Sequence, residues 1–126
     1  MNKIIIVDDH SLFRESIKLL IENENIGVVI AEAPNGEDFI DLLQTNIPDL
    51  VLMDIEMPGM NGLETTKRAL ELYPELRILV LSMFSENAIY DTFIKAGAKG
   101  CLQKTCGKLE LENAISVVLN NQKYFY

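Results

Sequence analysis

Five short runs of hydrophobic residues, each followed by a stretch with apolar residues at helical spacing, organise the sequence. The runs lie at residues 4–7, 28–31, 50–53, 78–81 and 101–102. They are rich in Val, Ile and Leu, which is typical of strands buried in a parallel sheet. In the stretches that follow them, apolar residues recur every three or four positions, which predicts amphipathic helices. Strand and helix therefore alternate five times along the chain.

This alternation predicts an α/β fold: a doubly wound five-stranded parallel sheet, flavodoxin-like (βα)5, with helices on both faces. Breaks between the elements are marked by Gly27, Asn35-Gly36, Pro74 and Gly97. The length of 126 residues fits one domain, and no repeat or interior linker interrupts the pattern. The sequence thus predicts a single domain over residues 1–126.

Polar residues that could bind a cation and a phosphate follow directly on four of the predicted strands. Each set ends a different strand: Asp8-Asp9, Asp54, Ser82 and Lys104. Because the carboxyl ends of parallel strands share one crevice, we expect these side chains to meet there. Aspartates gathered in one crevice repel one another, and Mg²⁺ with its preference for oxygen ligands would relieve that repulsion.

The same residue types suit phosphoryl transfer onto a carboxylate, because they supply a nucleophile, a metal site and a positive clamp. Taken singly, each has an ordinary explanation. An aspartate at a strand end often caps a turn or helix, and a lone lysine is usually a solvated surface charge. Their joint placement at four strand ends is what favours a functional site.

The composition narrows the classes of partner. Hydrophobic residues make up 48% and charged residues 24%, as in a globular domain. The formal net charge of −8 argues against this chain gripping nucleic acid by itself, since phosphate backbones demand a basic face. The acidic balance suits a cation site and equally suits simple solubility.

The cysteines and the N-terminus indicate a cytoplasmic location. Cys101 and Cys106 lack CxxC spacing and the only histidine, His10, is distant in sequence, so we expect free thiols rather than a disulfide or zinc site. The apolar run at residues 4–7 is too short for a signal peptide or a membrane span. No membrane partner is expected.

Along essentially its whole length the chain resembles the receiver domains of bacterial two-component response regulators. The matching segments are residues 5–9 (IIVDD), 52–62 (LMDIEMPGMNG), 81–83 (LSM), 96–100 (AGAKG) and 102–104 (LQK). The resemblance implies a phosphorylation-dependent signalling switch that accepts a phosphoryl group from a histidine kinase onto Asp54. It also implies that Lys104 contacts Asp54 and then the phosphoryl group, while Ser82 follows the phosphoryl oxygen in the active state.

The resemblance further implies Mg²⁺ as the cofactor. Asp9 would ligate the ion directly, together with Asp54 and the backbone carbonyl of Glu56. Asp8 would act mainly through water. A receiver is not an enzyme in the usual sense, since it catalyses only its own phosphorylation and dephosphorylation.

Three segments resemble, more narrowly, receivers that precede a LuxR-type helix-turn-helix domain. They are residues 8–14, 79–83 and 117–126. This implies a folded core at about residues 1–121, with 122–126 as the start of an interdomain linker. DNA would be bound only through a C-terminal domain absent from this chain, and phosphorylation would promote a homodimer. The alternative is a stand-alone receiver.

Two positions depart from the receiver pattern. Cys101 stands where an aromatic switch residue is usual, and Thr105 stands where proline is frequent, which puts a cis bond after Lys104 in doubt. We therefore expect switching to rely on backbone movement of the loop at residues 83–85 and of the helix after it. Phe84 and Tyr90 are the nearest aromatic residues that could substitute, or they could serve only in packing.

Two further functions and one residue remain open at this stage. A hydrolase with an aspartyl-phosphate intermediate would need a general acid, for which Glu56 is the nearby candidate. A phosphorylation-independent binding module would not need the complete acidic set. His10 could be a general base, but a role at the start of the following helix is the preferred interpretation.

Overall fold

A computed structural model describes residues 1–57, 59–83 and 87–125, and it shows the predicted alternation of strands and helices. The strands are β1 (Lys3–Val7), β2 (Val28–Ala33), β3 (Leu50–Asp54), β4 (Ile78–Ser82), β5 (Gly100–Gln103) and β6 (Tyr124–Phe125). The helices are α1 (Ser11–Asn23), α2 (Gly36–Leu42), α3 (Gly62–Leu72), α4 (Asn87–Ala96) and α5 (Lys108–Leu119). The first five strands lie within two residues of their predicted positions.

The sheet is parallel throughout, with the strand order β2-β1-β3-β4-β5-β6. The chain moves outward in one direction from β1 to β2 and then in the other direction from β3 onward. The strand order therefore reverses between β1 and β3, and a crevice opens at their carboxyl ends. Asp8 and Asp54 lie at those ends.

The prediction of five strands is wrong, because the described residues form six. Tyr124 and Phe125 pair in parallel with Gly100 and Cys101, and the Tyr124 amide donates to the Lys99 carbonyl at 2.9 Å. Gly100 permits the close approach, since a Cβ there would lie 2.7 Å from the Tyr124 carbonyl oxygen. The added strand covers hydrogen-bonding groups that an edge strand would leave open. The linker assignment for residues 122–126 stays a prediction.

The two faces of the sheet carry separate hydrophobic layers, as alternation along each strand requires. On one face, α2, α3 and α4 cover the inward side chains of alternate strand residues such as Val51, Met53 and Val80. On the other face, α1 and α5 cover Leu50 and Leu52 together with their neighbours. Both layers are fully buried, so the strands that present the polar crevice are fixed from both sides.

Asparagine caps fix the starts of two helices beside the crevice. The Asn35 side chain accepts a hydrogen bond from the Asp38 amide at 2.8 Å, and Asn61 accepts one from the Glu64 amide at 3.0 Å. Each satisfies an amide that the helix itself cannot pair. Within the described part of the chain, no helix has both the length and the apolar character needed to cross a bilayer.

Candidate functional site

Three aspartates converge at the carboxyl ends of β1 and β3. Asp8 and Asp54 are buried, with side chains 2% and 5% exposed, whereas the Asp9 side chain is 33% exposed. One ligand atom from each of these acids, and one from His10, lie within 4.8 Å of one another. The structure thus brings together the acids that the sequence assigned to a metal site.

Lys104 projects from the end of β5 into the same crevice. Its side chain is 6% exposed, and its Nζ lies 2.7 Å from Asp8 Oδ2 and 3.4 Å from Asp54 Oδ1. The expected contact with Asp54 is present, but the shorter ion pair is with Asp8. The ammonium also lies 4.6 Å from the centre of the Phe13 ring, which adds a cation–π contact from α1.

The negative charge of the carboxylates around Asp54 exceeds the positive charge that Lys104 supplies. Burial and the neighbouring Asp8 carboxylate raise the pKa of Asp54 from 3.8 to about 6, against the lowering effect of Lys104. Its Oδ2 is buried and has no hydrogen-bond partner among the described residues. A buried oxygen in that state needs a cation or a proton, so the donor set fits a hard divalent ion.

Ser82 and Glu56 border the same space as Asp54 and Lys104. A small cavity of about 40 Å³ is lined by these residues together with His10, Ile55 and Met83. Ser82 is buried at the end of β4, and its carbonyl accepts a hydrogen bond from the Lys104 amide at 2.6 Å. The ends of β4 and β5 are therefore tied together next to the acceptor carboxylate.

Three residues at the start of α1 contact the site: from the sequence, His10 is considered as a general base, but no role is assigned to Phe13 or Arg14. His10 Nδ1 lies 2.9 Å from Asp8 Oδ1, and the Arg14 guanidinium donates to the Asp8 carbonyl. Phe13 lies beside Lys104. Their spacing of three and four residues places His10, Phe13 and Arg14 on one helical face, which is the signal that could have identified them.

Backbone packing behind Asp54 depends on a glycine. The Gly62 amide donates to the Ile55 carbonyl at 2.8 Å and so folds the loop after β3 back onto the strand end. A Cβ at residue 62 would overlap the Asp54 carbonyl oxygen and lie 2.8 Å from Ile55 Cα. Only glycine allows this approach without moving the acceptor residue.

We expect Gly62→Ala to destabilise the fold by about 2 kcal/mol, since backbone must shift to admit the methyl group. Urea unfolding would measure the loss. Gly107→Ala is the matched control, because a Cβ there has no described heavy atom within 4 Å. Gly107 is the N-cap residue of α5. Alanine is a weaker N-cap than glycine, but it also lowers the conformational entropy of the unfolded chain, so stability should change by no more than about 0.5 kcal/mol. Equal effects of the two substitutions would contradict the packing explanation.

The two departures from the receiver pattern lie close to the site. Cys101 is buried beside Tyr90 in the layer under α4, and burial raises the pKa of the Cys101 thiol to about 12. Both cysteines are free thiols. The peptide bond from Lys104 to Thr105 is trans, as are all the described peptide bonds. Of the loop assigned to switching, Phe84 and Ser85 lie outside the described residues.

The family model and the sequence relatives that match this chain indicate the same protein family. The model of the response regulator receiver domain matches residues 4–116. Transcriptional regulatory protein DegU of Brevibacillus brevis is 36% identical over 124 residues, which cover 98% of this chain and 52% of that protein. Response regulator GacA of Pseudomonas aeruginosa is 38% identical over 125 residues, covering 98% of this chain and 58% of that protein.

Solved structures agree with the sequence relatives. The crystal structure of a two-component response regulator of the LuxR family from Aurantimonas superposes with a TM-score of 0.94 at 32% identity. That match covers 98% of this chain and 89% of the other. The chain spans about half the length of the curated relatives it matches.

Proposed function

The chain belongs to the response regulator receiver domain family, and on that premise we propose that it is a phosphorylation-dependent switch with Asp54 as phosphoryl acceptor. The observation that carries the proposal is the buried Asp54 carboxylate, whose Oδ1 lies 3.4 Å from the Lys104 ammonium and whose Oδ2 has no hydrogen-bond partner among the described residues. With two oxygens, the carboxylate can bind a cation through one and attack phosphorus with the other. A histidine kinase is the phosphodonor that the family implies.

In the proposed reaction, an Asp54 carboxylate oxygen attacks the phosphorus of a phosphohistidine. The new O–P bond forms as the P–N bond breaks, and the departing imidazole nitrogen keeps the bonding pair and gains a proton. The Lys104 ammonium, 3.4 Å from Asp54 Oδ1, binds the phosphoryl oxygens as a positive clamp. The Ser82 hydroxyl donates to a phosphoryl oxygen. Water later attacks phosphorus and regenerates Asp54, so the chain catalyses only its own modification.

Magnesium is the cofactor proposed for this site. Asp9, Asp54 and the backbone carbonyl of Glu56 would hold the ion, and Asp8 would act through water because Lys104 already pairs with it at 2.7 Å. The ion supplies positive charge that offsets the acids and the transferring phosphoryl oxygens. The convergence of Asp8, Asp9 and Asp54 supports this assignment.

Phosphorylation from a small donor such as acetyl phosphate is expected to require Mg²⁺ and Asp9. Removing the ion with EDTA should abolish the phosphoryl adduct, and Asp9→Ala should reduce its rate of formation by about 100-fold or more, since it removes a charged ligand. Asp91→Ala, at an exposed position on α4, is the control and should leave the rate unchanged. Undiminished phosphorylation in EDTA would refute the metal assignment.

The proposed output is regulation of transcription through a C-terminal helix-turn-helix domain that follows these residues. The regulators DegU and GacA, with the LuxR-family structure, support it. The chain itself, with a net charge of −8, should show no specific DNA binding. Because a two-fold operator needs a dimer, phosphorylation should promote self-association of the complete protein. The proposal keeps the cytoplasmic location expected from the sequence.

A further inference from the structure

His10 is the N-cap residue of α1, and its backbone carbonyl accepts a hydrogen bond from the Arg14 amide at 3.1 Å. Its side chain makes no capping hydrogen bond and is 63% exposed. The imidazole instead turns toward the acids, with Nδ1 lying 2.9 Å from Asp8 Oδ1 and 3.0 Å from Asp9 Oδ1. The backbone of His10 therefore begins α1, as the sequence predicts, while its side chain contacts the acidic crevice.

The distances from His10 Nδ1 match those between ligands of one metal ion. With metal–ligand bonds of about 2.1 Å, adjacent ligands in octahedral or square-planar coordination lie about 3 Å apart and opposite ligands about 4.2 Å apart. His10 Nδ1 lies about one adjacent-ligand distance from Asp9 Oδ1, at 3.0 Å, and is 4.0 Å from Asp54 Oδ2. The nitrogen thus stands where a ligand to an ion bound by Asp9 and Asp54 would stand.

An independent feature of the crevice points to a bound cation. Asp54 Oδ2 has no hydrogen-bond partner among the described residues. Because the side chain is only 5% exposed, bulk water cannot readily take that place. Asp54 Oδ2 lies 4.0 Å from His10 Nδ1. Hydrogen bonds from His10 to the carboxylates of Asp8 and Asp9 would not satisfy that oxygen, whereas an ion among Asp9, Asp54 and His10 would.

We propose that His10 supplies a nitrogen ligand to this site, so that it binds borderline transition ions such as Ni²⁺ and Zn²⁺ in competition with Mg²⁺. The proposal rests on the metal site of the proposed function and adds a ligand to it. Imidazole nitrogen suits nickel and zinc, whereas carboxylate, carbonyl and water suit magnesium. His10 therefore changes which ion the acids prefer while leaving their affinity for magnesium nearly unchanged.

Lys104 does not block this arrangement. Its Nζ lies 3.3 Å from His10 Nδ1 but closer, 2.7 Å, to Asp8 Oδ2. The ammonium can remain paired with Asp8 while the imidazole lone pair turns to an ion on the side of Asp9. The exposed position of His10 leaves the entering ion a path from solvent.

Calorimetric titration of the untagged chain with NiCl₂ and, separately, MgCl₂ tests the proposal. His10 is the only histidine, so any imidazole contribution belongs to it. We expect His10→Gln and His10→Ala to weaken Ni²⁺ binding by about tenfold or more, because even indirect ligand support contributes that much. The Mg²⁺ dissociation constant should change by less than about threefold, since magnesium keeps its oxygen ligands. The ¹⁵N resonance of His10 Nδ1 should shift on Zn²⁺ addition.

Four outcomes are decisive. Equal effects of the His10 substitutions on both ions, or no effect on either, would overturn the proposal and leave His10 as a hydrogen-bonding neighbour of the acids. Nickel binding that survives Asp9→Asn would also overturn it, because the imidazole would then not share its ion with the Asp9 carboxylate. Nickel binding that depends on both residues, in a chain that binds no magnesium, would support this inference and refute the Mg²⁺ assignment of the proposed function.

Discussion

Replacing Lys104 with methionine is expected to destabilise the fold by about 3 kcal/mol or more at neutral pH without divalent ions. The ammonium lies 2.7 Å from Asp8 and 3.4 Å from Asp54, and all three side chains are almost entirely buried. Methionine fills similar space but leaves two buried carboxylates facing each other without a positive charge. Such a loss exceeds that of an exposed ion pair by several-fold.

Urea unfolding with and without Mg²⁺ measures this effect. Magnesium should restore part of the stability of Lys104→Met, because it supplies positive charge to the same acids. Lys67→Met on the exposed side of α3 is the matched control and should change stability by about 0.5 kcal/mol or less. A loss at Lys104 no larger than at Lys67 would show that the buried charges are compensated in another way.

Replacing Asp54 with asparagine is expected to have the opposite sign and to stabilise the ion-free protein by about 1 to 3 kcal/mol at neutral pH. The pKa of Asp54 is about 6 in the fold and 3.8 as a free side chain. The folded state therefore holds this proton more tightly, and the wild type loses stability relative to the variant as pH rises from 3.8 to 6. Below that window both side chains are neutral, and the difference should vanish.

A stability profile against pH, in EDTA, tests the sign and the window together. Asp41→Asn, at an exposed position of α2, is the control and should show no comparable gain. Magnesium should narrow the difference between wild type and Asp54→Asn, because the ion offsets the charge that asparagine removes. Destabilisation by Asp54→Asn throughout the window would contradict the crowding of negative charge at this site.

The sequence predicts the fold well because its signals are local. Each β-branched run ends in a polar residue, and the carboxyl ends of parallel strands share one edge. The sequence alone therefore predicts that one crevice brings together Asp8, Asp54, Ser82 and Lys104. The helical spacing of apolar residues likewise fixed which faces of the helices cover the sheet.

Features that depend on distances between elements could not be predicted. β6 has only two residues, too few for a periodic signal, and it forms because Gly100 lets Tyr124 approach β5. The preference of Lys104 for Asp8 over Asp54 is a difference of 2.7 against 3.4 Å, set by strand positions. The His10 side chain is directed toward the carboxylates of the crevice. The local sequence pattern at the start of a helix does not indicate this direction.

The mass of the intact chain after incubation with acetyl phosphate and Mg²⁺ tests whether Asp54 is the phosphoryl acceptor. A single added phosphoryl group is expected on the wild type and none on Asp54→Asn. Hydroxylamine should remove the adduct, since an acyl phosphate is cleaved by that nucleophile. Urea unfolding curves of both proteins under the same conditions would show whether the variant is folded. An adduct of equal yield on Asp54→Asn, or none on the folded wild type, would contradict the assignment of Asp54 as the acceptor.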